Sequence, residues 1–545
     1  MQDQPNDHSR QGNAFSKLPK LVLVGFASGL STALIISAFR YLLALPDLGM
    51  TLLSVDLDSA WVRFLIPVIG TLLLWGVWRS QSSSTRRVGI PHVYERLSYH
   101  HGDLPGRNLI NQLVGAVIAI GSGQPVGREG PGVHIGAAVS SWLGMRSGIS
   151  LSHQRLLIGC GSAAAIASLF NTPLAGVLFA MEVILLQYSL VGFSAIIVAA
   201  VSADALTRHL FGSPQWAEYP IPELSLFDQA PILLLLTVII SVAAFLFQQI
   251  AVKSAEHRPR SLGKSLMAAG LIVGVCAAID PVMMTPVHVA MERALEGAYN
   301  IELLFILVIF YLVVSPLVIG FGIPGGLIGP TLTTGALIGA LVAFGGTFLG
   351  STVDATSLSL IGMAAMLSAV IHAPLAALVT VFELTGSIEL MTLAMTVIVL
   401  SDLIMRSLFK QPSIFERLLA VQGFSRDTRV YRRVLMSTSV NDLLDRSFID
   451  HRLGDTIDTP KAPTWHILSI EQQTFIASHK EFEEKHHPSE GMMPLYQIDK
   501  RATLLQAMDL MQAHKTDRLV ISHREKVLGI LSREQVQRFY QDHCD

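Results

Sequence analysis

Gly127-Arg128-Glu129-Gly130-Pro131-Gly132-Val133-His134-Ile135-Gly136 is the stretch whose reading decides the fold. An Arg-Glu pair inside an apolar sequence is expensive at membrane depth and marks a functional site there. The glycines around it let backbone amides approach a ligand closely. A helical pattern begins at once afterwards, so those amides fall at a helix N-terminus, whose partial positive charge favours anions. Read blandly, such a Gly-rich turn only starts a packed helix, and Arg128 and Glu129 only pair with each other. A second copy of the pattern later in the chain weighs against the bland reading.

The copy is visible without any alignment. Gly127-x-x-Gly130-Pro131…Gly136 matches Gly326-x-x-Gly329-Pro330…Gly335, an offset of 326 − 127 = 199. Leu157-Ile158-Gly159…Pro173-Leu174-Ala175…Glu182 matches Leu360-Ile361-Gly362…Pro374-Leu375-Ala376…Glu383, with nine residues from Pro to Glu in both. Two similar halves with interrupted helices point to a transporter-type repeat whose site lies at the repeat interface. Glu182 and Glu383 also have a plain scaffold reading, as caps or ion-pair partners near helix ends.

The composition places most of the chain in lipid. Of 545 residues 51% are hydrophobic and only 15% charged, against about 25% charged in soluble domains. The net charge of −2 gives no reason to expect nucleic-acid binding. Cys160, Cys276 and Cys544 form no ligand or disulfide pattern. No cleavable signal opens the chain, because residues 1–16 are polar and no small-residue cleavage site follows the first apolar segment.

That segment, Leu18 to Leu45, is long enough to cross a bilayer with tilt. Arg10, Lys17 and Lys20 precede it, while Arg79, Arg86 and Arg87 follow the span Trp61 to Trp78. Lys253, His257, Arg258, Arg260 and Lys264 lie between the apolar stretches 231–252 and 265–281. The positive-inside rule puts all three basic clusters in the cytoplasm. Further on the segments are broken by Gly89-Ile90-Pro91, Gly121–Pro125, Asn171-Thr172-Pro173 and Gly322–Gly326. Broken backbone in lipid is tolerated only where it is buried in protein or lines a cavity, which argues for a pathway inside the protein.

Near Phe415 the character changes, and 422–545 reads as a charged soluble tail on the side of the last helix. Thr503–Met511 has helical spacing, and Arg518–Ile521 and Val527–Leu531 read as strands around a polar turn, followed by a helix. The stretch 450–495 shows no clean period. His486-His487 within it reads as a solvated loop rather than a metal site.

Taken together, the Glu129 motif, its copy at 326–330 and Asn171-Thr172-Pro173-Leu174-Ala175-Gly176 with Glu182 resemble the CLC family of chloride channels and transporters over residues 17–421. The resemblance implies an all-α membrane fold built as an inverted repeat of tilted and broken helices, with halves at about 60–210 and 230–421. It implies a homodimer with one anion pathway per subunit. Glutamate Glu129 is then a protonatable gate that competes with the anion, and the partners are chloride, other small anions, protons and the lipid bilayer. Anion contacts fall at Val88, Gly89, Arg128, Gly130, Leu327, Ile328, Gly329 and Phe415. The tail resembles a small α/β CBS pair, with a good copy at 495–540 and a degenerate one at 434–480. The bacterial inner membrane, with both termini cytoplasmic, is the location implied.

Departures from the family pattern carry the functional expectations. Where the family usually has Gly-Ser-Gly-Ile-Pro, this chain has Arg87-Val88-Gly89-Ile90-Pro91, so the serine hydroxyl at the central anion is lost at Val88. Where it usually has Gly-x-Phe-x-Pro, the second copy reads Gly326-Leu327-Ile328-Gly329-Pro330. The facing tyrosine aligns with Phe415, and the inner glutamate of proton-coupled members with Val183, one residue past Glu182. Glu182 is the remaining carboxylate for an inner proton route. Each lost hydroxyl removes a hydrogen bond to a charged partner worth about 1.5–3 kcal/mol. The expectation is weak central occupancy and relaxed discrimination among anions, with channel-like or weakly proton-coupled flow ahead of strict H+/Cl− exchange. In the tail, Ser532-Arg533-Glu534-Gln535 puts Gln535 where a ribose-binding carboxylate belongs, which argues against an adenine nucleotide. No other cofactor is expected. A membrane-embedded enzyme using Glu129 and His134 as acid and base lacks any accompanying nucleophile or metal constellation, and a non-conducting sensor is the other rival.

Overall fold

The computed structural model describes residues 7–52, 57–100, 102–187, 190–212, 226–346 and 353–424, and in the tail 435, 438–445, 448–450, 465–470, 473–478, 493–494, 496–514, 516–523 and 526–544. It divides into two units, residues 1–147 with 156–426 and residues 148–155 with 427–545.

The first unit is helical throughout, as a backbone in lipid must be when it satisfies its own hydrogen bonds. In chain order the helices are α1 (Asp7–Leu52), α2 (Ala60–Trp78), α3 (Gly89–Tyr99), α4 (Gly106–Gly121), α5 (Glu129–Arg146), α6 (Leu151–Phe170), α7 (Pro173–Phe179), α8 (Leu190–Phe211) and α9 (Leu226–His257). They continue as α10 (Leu262–Ile279), α11 (Val287–Leu295), α12 (Ile301–Ile309), α13 (Ser315–Gly320), α14 (Ile328–Gly346), α15 (Ala355–Ile371), α16 (Pro374–Thr385), α17 (Ile388–Leu403) and α18 (Ile414–Val421). Among the described residues eight helical segments are long and apolar enough to span a membrane. Helix α1 begins at Asp7, within the polar opening stretch, and runs through Pro19 and Pro46, with its apolar span at Pro19–Pro46.

The expected breaks fall at helix ends. Gly89 takes φ +77° and Pro91 follows in the first turn of α3, where its missing N–H costs nothing. Helices α5 and α14 are buried on nearly all sides, the mark of a helix in the middle of a bundle. Small residues let their neighbours approach: a Cβ on Gly136 would sit 2.9 Å from the carbonyl carbon of Gly161, and one on Gly335 would sit 2.8 Å from that of Gly362. Close glycine contacts are how helices pack where lipid offers no hydrophobic drive.

The two halves run in opposite directions. Both oxygens of Glu182, in the π-helical extension Ala180–Leu185 of α7, accept amides at the start of α16 (Leu375 N 3.3 Å, Ala376 N 3.0 Å). Glu383, near the end of α16, accepts amides at the start of α7 (Leu174 N 2.8 Å, Ala175 N 2.7 Å). Each helix thus begins beside the end of the other, so equivalent helices are antiparallel and the repeat is inverted. The same two-fold relation pairs Asn171, Asp204 and Arg208 with His372, Asp402 and Arg406. Asp204 accepts from Arg208 Nε at 2.7 Å and Asp402 from Arg406 Nε at 2.7 Å. Helix α1 packs on α8 as α9 packs on α17.

The second unit is α/β. A four-stranded sheet runs β1 (Phe448–Asp450), β2 (Trp465–Ile470), β3 (Gln473–Ser478), β4 (Met493–Pro494), and a three-stranded sheet runs β5 (Gln497–Asp499), β6 (Arg518–His523), β7 (Lys526–Ser532). Helix α19 (Leu504–Ala513) opens on a capping box between Thr503 and Gln506, and α20 (Arg533–Cys544) follows β7. The expected helix and strands of 503–531 are all present. Strands β1 to β4, in the stretch without a clean period, are an addition to the sequence reading. They are short, and β2 and β3 pair with Ile470 opposite Gln473 without a glycine turn to announce them. His486 and His487 lie outside the described residues.

Candidate anion pathway

Two glycines, one from each half, bring the motifs together. Gly127 N donates to Gly326 O at 2.8 Å and Gly326 N to Gly127 O at 2.8 Å, an isolated antiparallel bridge. Reciprocal bonds between equivalent residues require a local two-fold axis. Only glycine permits this approach, since a Cβ on Gly130 would sit 2.7 Å from Gly326 Cα. The N-termini of α5 and α14 therefore start side by side. Their first-turn amides lack intrahelical acceptors and add their partial positive charges at one place.

The Glu129 carboxylate occupies that place. Its residue is 2% exposed, and a Cβ on Gly329 would sit 2.5 Å from Glu129 Oε2. Oε2 has no hydrogen-bond partner among the described residues. A buried carboxylate held mainly by helix-end fields, without a full set of hydrogen bonds, is the kind of group a competing anion can displace.

Below the two helix ends lies a cavity of about 790 Å³. Val88, Gly89, Gly130, Leu327 and Phe415 line it, as do Arg86, Arg87, Arg258, Arg260 and Glu256. Arg87 is paired with Glu95 at 2.6 Å, and the arginines that remain outnumber Glu256, an excess of positive charge that raises the local concentration of anions. Of the anion contacts named from sequence, the first five face a shared space. Gly329 lies against Glu129, whereas Ile328 and Arg128 line a separate cavity of about 210 Å³.

Neither Val88 nor Phe415 offers a hydroxyl to the cavity. Val88 is the N-cap of α3 and makes no side-chain cap bond. The Phe415 ring stands edge-on to Tyr94, with centroids 6.1 Å apart, but the Tyr94 hydroxyl donates to Val183 O at 2.7 Å. Gly89 contributes lining rather than its amide, which donates to Gln112 Oε1 at 2.6 Å. Gln112 and Tyr94 were not singled out in the sequence, since neither belongs to a repeated motif. Glu182, named for an inner proton route, has both oxygens engaged by the amides of α16. His134 packs against α3, with its Nε2 2.8 Å from His92 Nδ1. Among the described residues no three His, Cys, Asp or Glu side chains could hold a metal together.

An inverted repeat whose broken helices aim their N-termini at a buried glutamate above an arginine-lined cavity defines a membrane protein of the anion-transport class. The voltage gated chloride channel family model matches residues 69–406, more than half of the chain, and the protein belongs to that family, whose members are channels or transporters rather than enzymes. The putative chloride channel protein ClcB-like of Ralstonia nicotianae is 27% identical over 414 residues, 73% of this chain and 95% of its own. The H(+)/Cl(-) exchange transporter ClcA of Citrobacter koseri is 28% identical over 319 residues, 55% of this chain and 66% of its own. Among solved structures, a slow cyanobacterial Cl−/H+ antiporter superposes with a TM-score of 0.63 at 22% identity, covering 75% of this chain and 99% of that one, a likeness of fold.

Proposed function

We propose that this protein lets small anions, chloride first, cross the membrane along a pathway gated by Glu129. The observation that carries the reading is the Glu129 carboxylate lying where the N-termini of α5 and α14 meet. An anion drawn into the arginine-lined cavity competes with that carboxylate for the same fields. Protonation or rotation of Glu129 frees the spot, and the anion passes. Binding near Val88 and Phe415 is weak without hydroxyls there, and conduction wants binding weak enough to leave.

Channel-like or weakly proton-coupled flow is the favoured mechanism, because Val183 cannot carry a proton and Glu182 is occupied as a cap. Strict H+/Cl− exchange is the second reading, favoured by the exchangers among the relatives. The working form is a homodimer in a bacterial inner membrane, with both termini cytoplasmic. The tail is a CBS-like module with a structural role, since Gln535 Oε1 is taken up by Ser532 N at 2.8 Å and Ser532 Oγ at 3.1 Å.

Reconstituted flux of chloride, bromide, nitrate and fluoride under imposed pH gradients tests the reading. Flux that Glu129→Gln abolishes or deregulates supports the gate. A reversal potential that follows the proton gradient assigns exchange, one that ignores it assigns passive flow, and the absence of flux from folded protein overturns the proposal.

A further inference from the structure

The 210 Å³ cavity holds three polar side-chain atoms that the pathway does not use. Arg40 Nη1 from α1, Arg128 Nε at the start of α5 and Thr172 Oγ1 at the start of α7 are all buried without a hydrogen-bond partner, and all three residues line this space. Thr172 is 1% exposed. Arg40 is held by stacking, its guanidinium carbon 4.1 Å from the centroid of the Phe211 ring. Glu292 also lines the cavity, yet among the described residues neither arginine has a carboxylate within 4.0 Å. Buried charges are ordinarily paired, so one guanidinium nitrogen on each arginine and a hydroxyl, left without a partner in the lining of one cavity, can take an acceptor that arrives from outside.

The rest of the lining is largely apolar, with Leu169, Phe170 and Leu332 among it. A bare halide leaves such walls unmatched. The volume falls below the roughly 300–1,000 Å³ of drug-sized sites, and corresponds to about seven waters. We infer that this cavity binds a small organic monocarboxylate with a compact apolar body, its carboxylate on Arg40, Arg128 and Thr172 and its body among the apolar walls. Arg128 immediately precedes Glu129, so occupancy is expected to alter anion flux, a consequence that rests on the transport reading above.

The test is titration of benzoate, and of the neutral benzamide, into the purified full-length protein, followed by calorimetry and saturation-transfer NMR. The expected result is saturable benzoate binding, weakened at least tenfold in Arg40→Gln and several-fold in Thr172→Val, with benzamide at least tenfold weaker than benzoate. Melting temperature and elution volume check that the variants are folded. Absence of saturable binding, equal affinity in both variants, or benzamide binding as tightly as benzoate overturns the inference. The readout is binding, so a protein that binds benzoate in this pattern but passes no anion keeps this site and loses the transport reading. One that passes anions but binds no benzoate does the reverse.

Discussion

Gly127 and Gly326 hydrogen-bond each other twice, N to O at 2.8 Å in both directions, although 199 residues separate them. Around this pair the two halves are locked so closely that the neighbouring glycines cannot carry a side chain.

Gly130→Ala tests that lock. The new methyl would stand 2.7 Å from Gly326 Cα, against backbone that cannot yield like a flexible side chain. Overpacking of this kind costs about 1–3 kcal/mol. A lowered melting temperature of the purified protein is expected, and an unchanged one contradicts the close approach.

The exchanged caps make a paired prediction. Replacing a cap by alanine costs about 0.5–2 kcal/mol, so Glu383→Ala and Glu182→Ala should both lower thermal stability. The loss should be larger at Glu383, whose contacts of 2.8 and 2.7 Å are shorter than the 3.3 and 3.0 Å of Glu182. Glutamine, which keeps one acceptor oxygen, should restore part of the loss at each position. Anion flux per folded molecule in Glu182→Gln should stay close to that of the parent, and a selective loss of proton coupling there would return Glu182 to a proton route.

Val88→Ser and Phe415→Tyr each put back a hydroxyl beside the 790 Å³ cavity. A hydrogen bond to a charged group contributes about 1.5–3 kcal/mol, so each substitution should tighten chloride binding by about tenfold or more. Calorimetric titration with chloride measures this. Unchanged affinity in both variants places the central anion elsewhere.

In the tail, Gln535→Ala should lower stability by about 1 kcal/mol, since the Gln535 amide oxygen caps Ser532. Adenine nucleotides are expected to leave the melting temperature of the parent protein unchanged. A rise with ATP would show that a carboxylate at this position is dispensable for binding.

Much of this protein is legible in its sequence, because the features concerned are local. The length of an apolar run decides whether it can span a bilayer. Gly89-Ile90-Pro91 and Asn171-Thr172-Pro173 interrupt helices through their own backbone preferences, and Asn171 indeed takes φ +58°. The repeat shows in the spacing of Gly127 and Gly326, and the missing hydroxyls at Val88 and Phe415 can be read directly. The tail strands β1 to β4 escaped notice because strands of two to six residues without an alternating run carry too little pattern to register.

What only the tertiary structure decided is which group meets which. Glu182 reaches an amide 194 residues away and Glu383 one 208 residues away. The Gly89 amide is taken by Gln112, and Arg40, Arg128 and Thr172 come together around one cavity. Hydrogen bonds and charges act over a few ångströms, so their partners are set by how helices pack. Helix packing depends on the whole inverted arrangement, which no single stretch of the chain contains.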